Sequence, residues 1–323
     1  MGLRRYLAVT GGIGGAKLGL GLSKILAGEE LAFIVNTGDD FQHLGLHISP
    51  DIDTLIYTLA GQSNTTTGWG RMGETWQFMS ALAELGGETW FQLGDKDLAV
   101  HVERTEKLGK GQSLTELTVE LANAFGITHP VLPMSDDAVR TIIQTRNGDL
   151  DFQHYFVRDQ CEPVVTGFEF HGAESARPSP AVTDWLESDD LDGVILCPSN
   201  PFVSIDPVLS VPGIREALER CAAPVIAVSP VVGGAAIKGP TVKMMRELKM
   251  PNTATRVAEH YSDFLQGFII DNADAADKSV IEAMGIECEV TKTVMTSLGD
   301  RVELAQACLE FASRLSQSRQ STS

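Results

Sequence analysis

The sequence is short of positive charge. Among its 323 residues, 43 are acidic and only 25 are Lys or Arg, so the formal net charge is −18. A surface of this kind repels polyanions, which argues against general binding to nucleic acids or to anionic membranes. We therefore expect any phosphate-bearing ligand to be a small molecule, held by local dipoles, a few cations and a metal ion.

The chain also has few cysteines and no long apolar run. Its five cysteines are scattered and form no Cys-x-x-Cys pair, so the sequence indicates neither a disulfide framework nor a zinc ribbon. No uninterrupted apolar segment has the length of a membrane span, and the N-terminus has no apolar signal core. These features predict a cytoplasmic protein with reduced cysteines.

What the sequence does contain is a glycine-rich segment near its N-terminus. Residues 6–10 form a short apolar run, and residues 11–17 (GGIGGAK, the glycine stretch) lead from it into helical apolar spacing. Closely spaced glycines let backbone N–H groups approach an anion, and a helix N-terminus directs its partial positive charge to the same place. The glycine stretch predicts a phosphate-binding loop, although such glycines can also serve tight strand–helix packing.

The glycine stretch matches neither of two familiar nucleotide-binding motifs. A Walker loop places Ser or Thr after Gly-Lys, whereas Lys17 lies between Ala16 and Leu18. The dinucleotide fingerprint requires Gly or Ala three residues after Gly14, where this chain again has Lys17. The stretch therefore predicts phosphate binding without indicating ordinary ATP hydrolysis or NAD binding.

A second apolar run, residues 31–36, completes a β–α–β pattern and leads to adjacent carboxylates, Asp39 and Asp40. Ligands of open parallel sheets gather at the carboxyl ends of the strands, so this acidic loop and the glycine stretch should open onto one cleft. Adjacent carboxylates suit Mg²⁺, which needs few protein ligands when phosphate oxygens supply others. One of the two could instead cap the following turn, with the other in solvent.

Polar residues at two further places are candidates for the same cleft. Asp51 and Asp53 lie where a helical pattern begins; Asp51 is its natural N-cap, and for both residues capping and ligand contact are equally good explanations. Ser199 and Asn200 follow the apolar strand pattern of residues 193–197. They could contact a phosphate or a nucleobase, or simply form a turn.

The alternation of strand and helix patterns predicts an α/β fold, with a Rossmann-like, mostly parallel sheet flanked by helices. We predict a single domain over residues 1–315, with its core in about 1–148 and 185–315. Residues 149–184 are mixed and rich in aromatics, which indicates a smaller α+β insertion. The polar residues 316–323 predict a disordered tail.

With these residues in view, the sequence resembles the 2-phospho-L-lactate transferase family of coenzyme F420 biosynthesis. The resemblance follows the chain in order over nearly its whole length, so it is specific to the family and not only to a fold. The matching stretches are residues 11–17 (GGIGGAK), 35–40 (VNTGDD), 50–55 (PDIDTL), 68–70 (GWG), 93–98 (LGDKDL), 133–137 (PMSDD), 151–156 (DFQHYF), 198–201 (PSNP) and 229–234 (SPVVGG).

This resemblance implies a Mg²⁺-dependent transferase. The family moves a phospholactyl or phosphoenolpyruvyl group from a guanosine diphosphate-linked donor to the terminal hydroxyl of the deazaflavin Fo. The products are F420-0 or dehydro-F420-0 and GMP. The implied partners are these small molecules and a second copy of the chain in a homodimer, without nucleic acid or membrane. Whether the donor carries a lactyl, enolpyruvyl or glyceryl acid stays open.

The resemblance also implies roles for particular residues. Asp39, with Asp40, would coordinate Mg²⁺ and help to activate the ribityl hydroxyl of Fo. Residues of the glycine stretch and of a later loop would hold the guanylate donor: Gly11, Gly12, Gly14, Gly15, Ala16, Lys17, Ser199 and Asn200. Weaker candidates for the deazaflavin pocket are Thr37, Asp53, Trp90 and Met134.

A related family offers an alternative function of another class. Its members are non-catalytic regulators, the gluconeogenesis-factor group, which bind nucleotide-sugars. Their glycine segment lacks the GGAK ending seen here, and the stretches at residues 68–70 and 133–137 are the other features that distinguish the two families.

Overall fold

The computed structural model describes residues 4–64, 66–236 and 239–320. Its strands are β1 (Tyr6–Thr10), β2 (Leu31–Val35), β3 (Phe41–His43), β4 (Leu46–Ile48), β5 (Val131–Pro133), β6 (Arg140–Thr145), β7 (Gly148–Asp151), β8 (Val165–His171), β9 (Gly193–Leu196), β10 (Val225–Val228), β11 (Val231–Val232), β12 (Ala235–Ala236), β13 (Gly267–Asp271) and β14 (Glu287–Thr291).

Helices connect most of these strands. The α-helices are α1 (Gly12–Ser23), α2 (Pro50–Leu59), α3 (Gln77–Glu84), α4 (Asp95–Gly109), α5 (Leu114–Ala124), α6 (Pro180–Leu186), α7 (Asp206–Leu209), α8 (Ile214–Arg220), α9 (Thr241–Glu247), α10 (Ala254–His260), α11 (Lys278–Glu282) and α12 (Leu298–Gln320). Short π-helical turns occur at His154–Arg158 and Pro201–Ile205, and 3₁₀ turns at Ala173–Ser175 and Asn272–Asp277.

Seven strands of the described chain form one parallel sheet in the order β14-β13-β10-β9-β1-β2-β5. Chain order runs outward in both directions from the pair β1 and β9, which makes the sheet doubly wound with a switch point between these two strands. This confirms the predicted Rossmann-like α/β fold. Two hairpins, β3-β4 and β11-β12, lie outside the main sheet.

The main sheet is buried on both faces, which explains why its strands are almost entirely apolar. In β1, Leu7 and Val9 point to a core built with α6 to α11 and the small antiparallel sheet. Tyr6 and Ala8 point to the opposite core, which includes α1, α2, α5 and α12. The alternation of successive side chains along each strand therefore supplies both cores from one sequence run.

The insertion begins earlier than predicted. A three-stranded antiparallel sheet, in the order β7-β6-β8, spans residues 140–171, so β6 lies in the segment that we assigned to the parallel core. The chain reverses between β6 and β7 just before Gly148, whose φ is +115°. Glycine adopts this conformation without a Cβ clash. The dipeptide Asn147-Gly148 is a strong hairpin signal, and the predicted boundary of the insertion did not take it into account.

The prediction of a disordered tail is wrong for residues 316–320, because α12 continues to Gln320. Its last turns have partners outside the helix as well as within it. Leu315 packs against one of the two apolar cores, and the guanidinium of Arg319 donates a hydrogen bond of 3.2 Å to the carbonyl of Ala222. Residues 321–323 lie outside the described residues.

The cysteines agree with the sequence analysis, since all five are free thiols. Over the ranges that the structure describes, no helix combines the length and the apolar character needed to cross a membrane.

Candidate functional site

A cavity of about 400 Å³ opens at the carboxyl ends of the main sheet, beside the switch point. Gly12 after β1, Asp39 after β2 and Ser199 after β9 all line this switch-point cavity. Doubly wound sheets bind their ligands at this place because the loops on either side of the switch point diverge there. The prediction that the glycine stretch and the acidic loop share one cleft is confirmed.

The glycine stretch does not form a separate loop. Gly11 is the N-cap of α1, and the helix starts at Gly12, whose φ of +64° favours glycine. The Gly12 N–H donates a 2.7 Å hydrogen bond to Oδ1 of Asp51. The first N–H of this helix is therefore already hydrogen-bonded to a carboxylate of the protein. Ile13 and Gly14, the next two residues of α1, also line the cavity.

Close packing explains two of the glycines. A Cβ on Gly14 would lie 2.3 Å from the carbonyl oxygen of Pro198, and one on Gly15 would lie 2.1 Å from Oγ1 of Thr10. The packing role that the sequence left open therefore applies to both. Gly15 and Ala16 are buried and do not line the cavity, so the structure does not support donor contacts by these two residues.

Two buried carboxylates meet beside α1. Nδ2 of Asn36 donates to Oδ1 of Asp39 at 3.0 Å and to Oδ2 of Asp51 at 2.9 Å, and both aspartates line the cavity. Burial, followed by the charge of Asp51, raises the pKa of Asp39 well above its usual range. Burial likewise raises the pKa of Asp51 to about 6, although hydrogen bonds from Asn36 and Gly12 oppose the shift. The pair is thus costly to ionise without a cation.

The roles predicted for Asp51 and Asp40 differ from what the structure shows. Ser49, not Asp51, is the N-cap residue of α2, so Asp51 is free to face the cavity. Asp40 is buried but does not line the cavity. Its Oδ2 accepts a 2.7 Å hydrogen bond from Ser49 Oγ and lies 3.1 Å from Nε2 of His47. Asp40 therefore anchors the β3-β4 hairpin to the start of α2.

Asp53 belongs to a different cluster. It is buried away from the cavity and accepts two hydrogen bonds from the guanidinium of Arg104, which is itself fully buried. His101 and Asp97 complete the cluster, and Tyr57 donates to Asp97 at 2.5 Å. Oxygen and nitrogen atoms of Asp53, Asp97 and His101 are close enough to hold a metal, but Arg104 already supplies the cation. The prediction that Asp53 contacts the deazaflavin is not supported.

Ser199 and Asn200 line the cavity, as predicted. Ser199 Oγ donates to the Gly11 carbonyl at 2.8 Å and accepts from the Gly11 N–H at 3.2 Å, which joins the two loops across the switch point. Asn200 Oδ1 accepts a 3.0 Å hydrogen bond from the N–H of Phe202. The turn-forming role that the sequence allowed for Asn200 is therefore present alongside its place in the cavity wall.

Lys17 also lines the cavity, and its ammonium is held in place. Nζ donates a 3.1 Å hydrogen bond to the carbonyl of Met295, just beyond β14. Thr293 and Met295 line the same wall. This hydrogen bond links α1 to the segment after β14, at the edge of the sheet, and the half-buried cation lies in the cavity lining.

Another part of the cavity lining, here called the aromatic wall, consists of aromatic residues. It contains Trp90, which was predicted as a site residue, and four residues that were not: Trp69, Phe91, Phe152 and Phe156. Three of these four lie in the family stretches GWG and DFQHYF, although no role was assigned to them individually. The rings of Phe152 and Phe156 stack at 5.3 Å with an angle of 9° between their planes. The cluster of aromatic residues in the stretch DFQHYF, residues 151–156, was the sequence signal that could have identified Phe152 and Phe156.

Two candidates for the deazaflavin pocket, Thr37 and Met134, do not line the cavity. Both are buried, and Met134 packs within the core on one face of the main sheet. Apolar residues at strand ends serve the core more often than a ligand, and this applies to Met134.

Fold and site together define a doubly wound α/β protein whose switch-point cavity has a glycine-lined acidic side and an aromatic side. The family model described as 2-phospho-L-lactate transferase CofD matches residues 7–302, and the chain belongs to this family.

Individual relatives agree with this assignment. The chain is 40% identical to the 2-phospho-L-lactate transferase of Methanosarcina acetivorans, over 93% of this chain and 96% of that one. It is 39% identical to the phosphoenolpyruvate transferase of Streptomyces griseus, over 95% of this chain and 98% of that one. Its fold is similar to that of a UPF0052 family protein from Bacillus halodurans, with a TM-score of 0.64 at 14% identity over 95% of this chain and 100% of that one.

Proposed function

We propose that this protein is a transferase of coenzyme F420 biosynthesis. It moves a phospholactyl or phosphoenolpyruvyl group from lactyl-2-diphospho-5'-guanosine or enolpyruvyl-2-diphospho-5'-guanosine to the deazaflavin Fo. One observation carries the proposal: a single cavity joins a buried carboxylate pair and a helix N-terminus to an aromatic wall. The names of the relatives support a transferase over the nucleotide-sugar-binding regulator considered from the sequence.

The two walls of the cavity suit the two substrates. The guanylate donor is a diphosphate, and it fits the wall that contains the N-terminus of α1 and the ammonium of Lys17. The residues of this donor wall are Gly11, Gly12, Gly14, Lys17, Ser199 and Asn200. The flat ring system of Fo fits the aromatic wall, where Trp90, Phe152 and Phe156 offer ring faces and edges.

The carboxylate pair suits Mg²⁺. Asp39 and Asp51 are both buried, and the hydrogen bonds that they accept from Asn36 and Gly12 come from neutral donors. Carboxylate oxygens beside a phosphate site are the donors that Mg²⁺ prefers. Bound there, the ion would neutralise charge on the diphosphate oxygens during transfer. We assign Asp39 and Asp51 as its protein ligands, with Asp40 supporting the loop that carries Asp39.

The transfer itself requires one bond to form and one to break. The terminal hydroxyl oxygen of Fo attacks the phosphorus that carries the acid, and the bond from that phosphorus to the bridging oxygen of GMP breaks. We assign Asp39 as the acceptor of the hydroxyl proton, because Asn36 donates to its Oδ1 and leaves its Oδ2 available.

The proposal is tested by incubating the protein with Mg²⁺, Fo and a mixture of the lactyl, enolpyruvyl and glyceryl donors, followed by mass spectrometry. We expect one F420-0-type product together with GMP, and the mass of that product identifies the donor acid. A matched reaction with EDTA is the control. Unchanged Fo with every donor, in a sample that still binds a nucleotide-sugar, would favour the regulator instead.

A further inference from the structure

Asn36 lies at the point where the carboxylate pair is assembled, yet it does not line the cavity. It directly follows β2, and its side chain is fully buried. Its backbone N–H donates a 3.0 Å hydrogen bond to the carbonyl of Thr10, the last residue of β1. The backbone of Asn36 is therefore held by β1 and β2, next to the switch point.

The orientation of the Asn36 amide is determined by its hydrogen bonds. Oδ1 accepts the N–H of Gly38 at 2.8 Å, so the opposite end of the amide must be the donor. Nδ2 then donates to Asp39 and Asp51, at 3.0 and 2.9 Å, and lies 3.2 Å from the carbonyl of Val203. Two hydrogens thus serve three acceptors, and both carboxylates are drawn to one nitrogen.

A neutral donor between the two carboxylates leaves their charge available to a metal ion, whereas a cationic donor would not. Two buried carboxylates repel each other, and without a bridging donor they would turn apart. Lys or Arg would hold them together, but its charge would compete with a metal ion for the same oxygens. An amide holds the oxygens in place and leaves the negative charge of the pair uncompensated.

We propose that Asn36 is a positioning residue that holds Asp39 and Asp51 as a preformed site for one divalent cation. This inference rests on the proposed function, which places the cation at that pair. Residues that orient metal ligands contribute strongly to affinity, and their loss typically weakens binding about 10- to 100-fold. We expect a loss of this size when the amide of Asn36 is removed.

The experiment measures direct binding of Mn²⁺, as a spectroscopic substitute for Mg²⁺, by electron paramagnetic resonance in the absence of substrates. The variants are Asn36→Ala and Asn36→Ser, because a serine hydroxyl retains one donor but cannot reach both carboxylates. Ser229→Ala is the matched control: Ser229 is also fully buried after a central strand, and it exchanges two hydrogen bonds with Val231. Melting temperatures are recorded for all four proteins with and without Mn²⁺.

We expect the Mn²⁺ dissociation constant to rise at least about tenfold in Asn36→Ala, less in Asn36→Ser, and not in Ser229→Ala. The KM for Fo should stay unchanged. Equal affinity in wild type and Asn36→Ala would overturn the positioning role and leave the proposed function intact. Failure of the wild type to bind Mn²⁺ would overturn the preformed cation site. Variants at Asn36 that do not fold even in saturating Mn²⁺ would assign the residue to folding and also overturn the inference.

Discussion

Helix α2 carries two aspartates, two residues apart, whose surroundings differ in one respect. Asp53 is buried against Arg104, which supplies a positive charge from within the protein. Asp51 is buried beside Asp39, and the hydrogen bonds that it accepts from the described residues come from neutral donors, Asn36 and Gly12. The Asp53 carboxylate already has a cationic partner in the fold, whereas we propose that the Asp39–Asp51 pair takes a cation from solution. Burial alone therefore does not distinguish a structural acidic residue from a functional one. The distinction depends on whether the compensating positive charge comes from the protein or from a bound ion.

The largest expected effect is a loss of stability when the ion pair of Asp53 and Arg104 is broken. Arg104→Met keeps much of the side-chain volume but leaves Asp53 buried without its partner, and removing one member of a buried ion pair costs about 3–5 kcal/mol. We expect the free energy of unfolding to fall by that amount in urea titrations. The Mg²⁺ requirement of any folded fraction should be unchanged. A loss below about 1 kcal/mol would show that the two clusters are not as different as the structure indicates.

The next largest expected effect is a loss of Mg²⁺ affinity when the pair of Asp39 and Asp51 is altered. Asp51→Asn keeps the side-chain size and an oxygen for the Gly12 N–H, but it removes one negative charge from the pair. We expect Mg²⁺ affinity, measured by calorimetry, to fall about tenfold or more.

In the absence of metal, Asp51→Asn should melt close to the wild-type temperature. Relief of the repulsion with Asp39 offsets the loss of the hydrogen bond from Asn36, which an amide nitrogen cannot accept. A variant that loses stability without losing Mg²⁺ affinity would place Asp51 in the same structural class as Asp53.

These two residues also show how far the sequence could be interpreted. The doubly wound sheet and the shared cleft were predictable, because apolar strand runs and glycines carry local signals. The roles of Asp51 and Asp53 were not, since both fit a helix N-terminus equally well. Their difference depends on Arg104, in a helix, α4, whose many charged residues obscured its apolar spacing. The role of each carboxylate depends on a partner distant in sequence, Arg104 for Asp53 and Asn36 for Asp51.

The stretch VNTGDD shows the same limit on a smaller scale. The sequence drew attention to Asp39 and Asp40 because both carry charge. The structure places Asp39 at the cavity and Asp40 beneath the β3-β4 hairpin, and it gives the neutral Asn36 the contact with both cavity carboxylates. Which residue at a strand end faces a ligand depends on the backbone path after the strand, for which the sequence offers no periodic signal.

The smallest expected effect is a pH dependence of metal stabilisation. Because the pKa values of Asp39 and Asp51 are raised in the folded state, ionising them disfavours folding. Without a divalent cation, this pair's contribution to stability is largest below about pH 4 and is lost as the pH rises through about 6. Mg²⁺ stabilises the ionised pair, so the rise in Tm that it gives should grow by a few degrees between about pH 5 and pH 7.5.

Asp51→Asn is the control for this dependence, because it leaves one ionisable carboxylate and should show a smaller change with pH. A Mg²⁺-induced rise in Tm that is the same at both pH values would indicate that the ion binds elsewhere on the acidic surface.

We propose that the Asp39–Asp51 pair is the catalytic cation site and that the Asp53 cluster is structural. Mg²⁺-dependent release of GMP with Fo, measured for wild type, Asp39→Asn and Asp53→Asn with thermal melting of each, separates the two roles. We expect Asp39→Asn to fold normally and to lose about a hundredfold or more in turnover. We expect Asp53→Asn to lose stability but to keep wild-type turnover in its folded fraction. Near-wild-type turnover by a stable Asp39→Asn protein would contradict this proposal.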